Sequence, residues 1–84
     1  MAFSGPIRIM EGTRYALDSY GNGAAYTLRN KIAQTSVWLQ GDDAATFREE
    51  LEAQEAAHPN KNPDYILSWL WDDCDYGLAA QSDD

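Results

Sequence analysis

The sequence predicts an α+β domain in which a four-stranded antiparallel sheet is followed by two helices packed on one face. Three observations lead to this prediction. Residues 7–40 contain four short segments that alternate apolar and polar side chains, with turn residues between them. Residues 44–76 change to helical spacing, with a break at Pro59. A sheet with one apolar face must be covered, and the two helices are the segments available to cover it.

The strands are expected over residues 7–10, 13–19, 24–30 and 36–40. Glu11-Gly12, Gly21-Asn22-Gly23 and residues 31–35 supply the turns, because glycine and asparagine tolerate positive φ. Short connections between consecutive strands favour a meander. The side chains predicted to face the helices are Ile7, Ile9, Tyr15, Leu17, Tyr26, Leu28, Val37 and Leu39. Those predicted on the outer face include Arg8, Met10, Arg14, Arg29 and Trp38.

The first helix is expected over Ala44 to Ala57, with Asp42 as its N-cap. Its apolar stripe is narrow and consists of Ala44, Phe47 and Leu51. The second helix is expected from Pro63 to about Tyr76, capped by Asn62 and terminated by Gly77. It carries the densest apolar run in the chain, which comprises Tyr65, Ile66, Leu67, Trp69, Leu70 and Trp71.

The length of 84 residues indicates a single domain, residues 1–84, with residues 1–5 and 79–84 expected to be flexible ends. A lone cysteine, Cys74, excludes an intrachain disulfide and is typical of a reducing compartment. The sequence has neither the pattern of a signal peptide nor an apolar run long enough to span a bilayer. We therefore expect a cytoplasmic protein without a membrane partner.

Charge is strongly segregated along the chain, whose net charge is −8. Residues 1–41 contain four basic and two acidic side chains, whereas residues 42–84 contain two basic and twelve acidic ones. The first half therefore carries +2 and the second half −10. This balance disfavours direct binding to nucleic acid or to an anionic membrane.

No motif of enzyme chemistry is present, and we expect neither catalysis nor a cofactor. The single histidine, His58, lies in a loop-like context without a nucleophile motif beside it. The Gly21-Asn22-Gly23 turn lacks the strand-to-helix setting of a phosphate loop. Asp72, Asp73 and Asp75 offer oxygen ligands, but their spacing is not that of a calcium loop, and on a helix they point to different faces. No metal site is predicted.

Arg8, Arg14 and Arg29, with Trp38 and Met10 nearby, form a candidate basic-aromatic patch on the outer sheet face. Three interpretations stay open for it. It is a phosphate-binding or base-stacking patch, an ordinary solvated face, or a surface that meets the acidic half of the same or another copy.

The acidic second half is the candidate partner-binding surface. Asp72, Asp73 and Asp75 lie near a helix C-terminus, where the helix dipole opposes negative charge. Retaining carboxylates at a cost favours a functional role over the alternative of solubility alone. Rows of carboxylates can imitate the phosphates of DNA and dock in a groove lined with Lys and Arg. The predicted partner-binding residues are Asp42, Asp43, Glu49, Glu50, Glu52, Glu55, Asp72, Asp73 and Asp75, with aromatic anchors Tyr65, Trp69, Trp71 and Tyr76.

This combination of small size, acidity, a sheet with two helices and no active site resembles the anti-CRISPR proteins encoded by phages and mobile elements. The resemblance rests on residues 42–75 and on overall size and charge, and it transfers no residue roles because that family shares no diagnostic motif. It implies inhibition of a CRISPR–Cas effector in the cytoplasm of a bacterial host, through a face that mimics DNA. The positive first half departs from a uniformly acidic mimic, which confines the expected mimicry to one face.

An alternative function rests on the tryptophans. A homodimer or adaptor protein could associate through Trp38 and through exposed Trp69 and Trp71 of the C-terminal helix. Light scattering and tryptophan exposure discriminate between the two hypotheses.

Overall fold

The computed structural model of the protein describes residues 7–21 and 23–82. The expectations for residues 1–5, for Asn22 and for the last two residues lie outside this range. The elements in chain order are β1 (Ile7–Glu11), β2 (Tyr15–Tyr20), β3 (Ala25–Asn30), β4 (Thr35–Gln40), α1 (Asp42–Ala57), α2 (Pro63–Asp72), a 3-10 helix (Tyr76–Ala79) and β5 (Gln81–Ser82). The predicted α+β architecture is confirmed.

The sheet is an antiparallel meander with the strand order β1-β2-β3-β4-β5. Gly21 and Gly23 have φ values of 57° and 91°, as predicted for the turn between β2 and β3. In the next turn, the side chain of Asn30 accepts hydrogen bonds from the backbone N–H groups of Ile32 (3.1 Å) and Ala33 (3.0 Å). These bonds satisfy turn amides that no ladder reaches.

The core lies between the inner face of the sheet and the two helices. Six of the eight sheet residues predicted to be inside are buried there: Tyr15, Leu17, Tyr26, Leu28, Val37 and Leu39. The helices contribute Ala44, Phe47, Leu51, Ile66, Leu67 and Leu70. Burial of a large apolar side chain contributes roughly 1.5–3 kcal/mol, so this layer drives folding and fixes where the helices sit on the sheet.

The predicted orientation of β1 is wrong. Ile7 is 58% exposed and Ile9 is 44% exposed, although alternation placed both inside. For Ile9 the reason is a β-bulge: Arg8 pairs with Asp18 and Met10 pairs with Leu17, so two steps on β1 match one step on β2. Ile7 lies before the bulge, opposite Ser19 at the start of the edge strand, and is exposed there. The bulge breaks the period of two and turns Met10, predicted outside, towards the core.

Helix α1 begins differently from the prediction. The N-cap is Gly41, with a φ of 61°, and no side chain caps the helix, so Asp42 lies within the first turn. Asp42 and Asp43 still lie at the positive pole of the helix, where negative charge is favourable. The narrow buried stripe of Ala44, Phe47 and Leu51 is as predicted.

Helix α2 begins as predicted and ends earlier. Asn62 caps it by accepting a hydrogen bond from the Tyr65 N–H at 2.9 Å, and Pro63 is the first helical residue. The helix ends at Asp72, not near Tyr76, and the left-handed residue after it is Asp75 (φ 64°) and not Gly77. The following chain packs back on the sheet, and Gln81 and Ser82 pair with β4 where the sequence predicted a loose polar tail.

Within residues 7–21 and 23–82, no helix combines the length and apolar character required to span a membrane.

Candidate interaction surface

Exposed carboxylates dominate the helical side of the protein. Eight of the nine acidic residues predicted to bind a partner are exposed: Asp42, Asp43, Glu49, Glu52, Glu55, Asp72, Asp73 and Asp75. Among the residues that the structure describes, none of the eight forms an ion pair. Their charge is therefore not neutralised by the fold.

The acidic side chains of the sheet behave differently. The guanidinium of Arg8 binds the buried carboxylate of Asp18 and also contacts Glu11, with 3.1 Å between Nη1 and Oε1. Lys31 Nζ lies 2.9 Å from Glu11 Oε2. The hydrogen bond and charge of Lys31, with a smaller effect of Arg8, lower the pKa of Glu11 below its usual value. Arg8 and Lys31 thus neutralise acidic residues of the sheet.

This pairing changes the interpretation of the candidate basic-aromatic patch. Arg8 is committed to two carboxylates, and the guanidinium of Arg14 lies 5.2 Å from the centre of the Tyr15 ring. Trp38 is 52% exposed and contacts Tyr20 edge-on, with 4.9 Å between ring centres. The outer face therefore offers an aromatic pair and little uncommitted positive charge at β1.

The two basic residues of the helical side do not offset its charge. The guanidinium of Arg48 lies beside Gly23 in the turn between β2 and β3. Lys61 Nζ lies 5.1 Å from the centre of the Tyr65 ring. Arg48 and Glu52 lie four residues apart on α1, but they form no ion pair within the described residues.

One group of carboxylates gathers where α1 meets the chain after α2. We call it the acidic junction; it consists of Asp43, Glu50, Asp73 and Asp75. The hydroxyl of Tyr76 donates a hydrogen bond to Oε1 of Glu50 at 2.9 Å, and the Tyr76 ring packs edge-on against Phe47. Glu50 is therefore bound by another side chain of the protein, whereas the other eight predicted acidic residues form no ion pair within the described residues.

The pKa values of Cys74 and Tyr76 are raised by burial and by the negative charge of the acidic junction. Burial, followed by hydrogen bonding to Glu50 and by its charge, raises the pKa of Cys74 to about 12, with further contributions from Asp73 and Asp75. The same sequence of causes raises the pKa of Tyr76, to which Asp43 also contributes. Both neutral forms are favoured, first because burial disfavours an ionised side chain and then because the negative charge of Glu50 would repel it.

A second group lies along the solvent side of α1. We call it the α1 row; it consists of Asp42, Glu49, Glu52 and Glu55. Asp42 and Glu49 are seven residues apart and share a face, while Glu49, Glu52 and Glu55 follow one another at three-residue spacing. Because α1 is a regular helix of 16 residues, the backbone positions that carry these carboxylates are regularly spaced.

The predicted tryptophan anchors are only partly accessible. Trp71 lies against Tyr15, with ring centres 5.8 Å apart, and against Gly77, where a Cβ atom would clash with the indole. Trp69 also packs against the core. Tyr65 is the more exposed aromatic residue of α2, with 40% of its surface accessible, and its ring contacts His58 at 5.2 Å. Trp69 and Trp71 are thus partly buried, whereas Trp38 on the sheet is 52% exposed, and association through these tryptophans stays a prediction.

His58 has a structural position. It follows the last residue of α1, and its backbone N–H donates to the Gln54 carbonyl at 2.9 Å. Among the described residues, no group of three or more His, Cys, Asp or Glu side chains is arranged to hold a metal ion.

One acidic residue of the helical half does not belong to the surface. Asp64 was not singled out from the sequence, and its carboxylate is bound by the backbone of the turn between β1 and β2. The sequence signal for it is weak, because an acidic residue in the first turn of a helix is ordinary.

Comparisons of the chain with protein-family models, with curated proteins and with solved structures found no match.

Proposed function

We propose that the protein is a non-catalytic binding protein that docks through the α1 row and the acidic junction onto a basic, nucleic-acid-binding surface of another protein. The observation that carries the proposal is the contrast in pairing between the two sides. The carboxylates of the sheet are neutralised by Arg8 and Lys31, whereas eight exposed carboxylates of the helical side have no ion-pair partner among the described residues.

Physical complementarity favours a protein partner over nucleic acid. A basic groove that evolved for phosphates attracts an array of carboxylates by the same long-range field, which accelerates encounter and orients the partner. Tyr65, in the first turn of α2, is 40% exposed and is the aromatic residue of that helix most accessible to a partner.

Within this class, the partner that we propose is a CRISPR–Cas effector in the cytoplasm of a bacterial host. The support is the resemblance of the chain to anti-CRISPR proteins in size, acidity and α+β architecture. Inhibition would follow from occupation of the surface that binds target DNA.

Two measurements test the proposal. Purified CRISPR–Cas effectors of several types are mixed with target DNA and increasing amounts of the protein, and DNA binding is followed by gel shift. We expect stoichiometric inhibition of at least one effector. Direct binding to that effector should weaken steeply between about 50 mM and about 300 mM salt, and DNA should compete.

A matched pair of variants locates the surface. The first neutralises the α1 row and Asp43 of the acidic junction through Asp42→Asn, Asp43→Asn, Glu49→Gln, Glu52→Gln and Glu55→Gln. The second, Glu11→Gln, removes a paired carboxylate from the sheet. We expect the first variant to lose affinity about tenfold or more and the second to bind like the unmodified protein. Equal binding by both, or binding insensitive to salt, would contradict docking through these carboxylates; failure to inhibit any effector would remove the CRISPR–Cas assignment.

A further inference from the structure

Three backbone N–H groups at the turn between β1 and β2 donate hydrogen bonds to one carboxylate, that of Asp64. The N–H of Thr13 donates to Oδ2 of Asp64 at 2.8 Å. The N–H groups of Arg14 and Tyr15 donate to Oδ1 at 3.0 Å and 3.1 Å. Successive amides that point at one anion form a nest, the arrangement that proteins use for phosphates and carboxylates.

The nest is shaped closely around its occupant. A Cβ atom at Gly12 would collide with Oδ1 of Asp64, so the missing side chain leaves the space that the carboxylate fills. Partial burial acts to raise the pKa of Asp64, but the hydrogen bonds from Arg14, Tyr15 and Thr13 outweigh it and lower that pKa below its usual value. The site therefore prefers an anion.

Contacts that do not involve Asp64 hold the turn in shape. The N–H of Gly12 donates to the Tyr15 carbonyl at 2.8 Å, and the N–H of Lys31 donates to the Arg14 carbonyl at 2.7 Å. Lys31 Nζ also donates to the Gly12 carbonyl at 2.9 Å. Because these bonds do not involve Asp64, we expect the three donors to stay in place when the carboxylate is absent.

We propose that the turn between β1 and β2 is an oxyanion-binding site and that Asp64 is its built-in ligand. The ligand class is a small carboxylate or phosphate oxyanion, which occupies the nest when the Asp64 side chain is withdrawn. In the intact protein, the hydrogen bonds of the Asp64 carboxylate connect the first turn of α2 to the turn between β1 and β2. This inference is independent of the acidic surface and of its partner.

The test is chemical rescue of Asp64→Ala. Thermal unfolding is followed by tryptophan fluorescence in sodium acetate, in inorganic phosphate and in sodium chloride at equal ionic strength. We expect Asp64→Ala to be destabilised and acetate to restore it saturably; a dissociation constant of about 10 mM would lower its unfolding equilibrium constant about tenfold at about 100 mM acetate. The phosphate arm distinguishes a tetrahedral from a planar oxyanion. Acetate should not stabilise the unmodified protein more than chloride does.

Asp64→Asn is the matched control. The amide fills the same space, its oxygen accepts in place of one carboxylate oxygen and its NH2 group replaces the other, so acetate has no room to bind and should not rescue this variant. In Asp64→Ala, acetate should also move the amide NMR signals of Thr13, Arg14 and Tyr15 in one saturable step. If Asp64→Ala does not fold alone, recovery of its circular dichroism with acetate becomes the readout. Absence of saturable rescue, or equal rescue by chloride, would overturn the proposal.

Discussion

Gly77 and Asp75 show how single residues end α2. The sequence indicated that Gly77 would take the left-handed conformation, but Asp75 takes it, with a φ of 64°. Gly77 is instead the residue against which the Trp71 indole packs, and any larger side chain would displace that ring. Aspartate tolerates the left-handed region better than most residues, so the earlier ending is physically accessible.

The thiol of Cys74 provides a prediction at the residue scale. Burial and the hydrogen bond to Glu50 raise its pKa to about 12, so almost none of it is thiolate near neutral pH. We expect the folded protein to react with a thiol-specific disulfide reagent at about pH 8 at least about 100-fold more slowly than the unfolded chain. Reactivity should rise as the pH approaches that pKa.

Glu50→Gln and Glu49→Gln form the matched pair for this experiment. Loss of the negative charge of Glu50 should lower the pKa of Cys74 and accelerate the reaction, because that charge disfavours the thiolate. Glu49 is exposed and is not among the groups that shift Cys74, so its neutralisation should have little effect. Equal rates for both variants would show that access to the thiol, and not the field of the acidic junction, controls reactivity.

At the scale of elements, β1 is where local pattern and structure disagree most. Its apolar residues alternate, and alternation alone predicts Ile7 and Ile9 inside. The register is regular up to Arg8, so Arg8 lies opposite Asp18 and binds its buried carboxylate without any bulge. The bulge between Arg8 and Met10 then places Met10, and not Ile9, on the side of Leu17, where Met10 packs against the core.

A pair of alanine variants in β1 tests this orientation. Met10→Ala removes a side chain that packs against the core and should cost about 1–2 kcal/mol in the free energy of unfolding. Ile9→Ala removes an exposed side chain and should change it by less than about 0.5 kcal/mol. Denaturant titration measures both. A larger loss from Ile9→Ala would restore the orientation that alternation predicts.

At the scale of the whole molecule, the unpaired negative charge of the described residues lies on the helical layer and the paired charges lie on the sheet. The sheet contains the basic residues that neutralise its own acids, and the helices expose carboxylates without ion-pair partners among residues 7–21 and 23–82. Some of these carboxylates oppose folding, because Asp72 is the last residue of α2 and Asp73 is its C-cap. Negative charge at positions where it lowers stability is expected if the surface serves a function, and is not expected if the sequence were optimised for stability alone.

Asp73→Asn tests this cost. Removing a negative charge from the negative pole of α2 should stabilise the protein by about 0.3–1 kcal/mol at low ionic strength. The gain should shrink towards zero at about 1 M salt, where the Debye length is about 3 Å. Glu49→Gln, in the middle of α1, serves as the control because it relieves only general repulsion. Destabilisation by Asp73→Asn at low salt would show that the carboxylate is needed by the fold.

The candidate surface was predictable in composition but not in detail. Segregation of acidic residues after residue 41 is visible in the sequence, and eight of the nine chosen carboxylates are exposed. The bond between Glu50 and Tyr76 and the capture of Asp64 by a turn join residues 26 and 49–51 positions apart. No local pattern reports such contacts, because they arise only after the helices dock on the sheet.

The sequence by itself determined the α+β order, the turns at Gly21 and Gly23, the start of α2 and the apolar residues of β2, β3 and β4. These features follow from local propensity and from the period of apolar residues, which neighbours along the chain decide. Only the tertiary structure decided the bulge in β1, the end of α2, the pairing of β5 and the half-buried state of Trp69 and Trp71. Each of these depends on contacts between groups that are distant in the sequence: Met10 with the core, the Trp71 indole with Gly77, and Gln81 and Ser82 with the edge of β4.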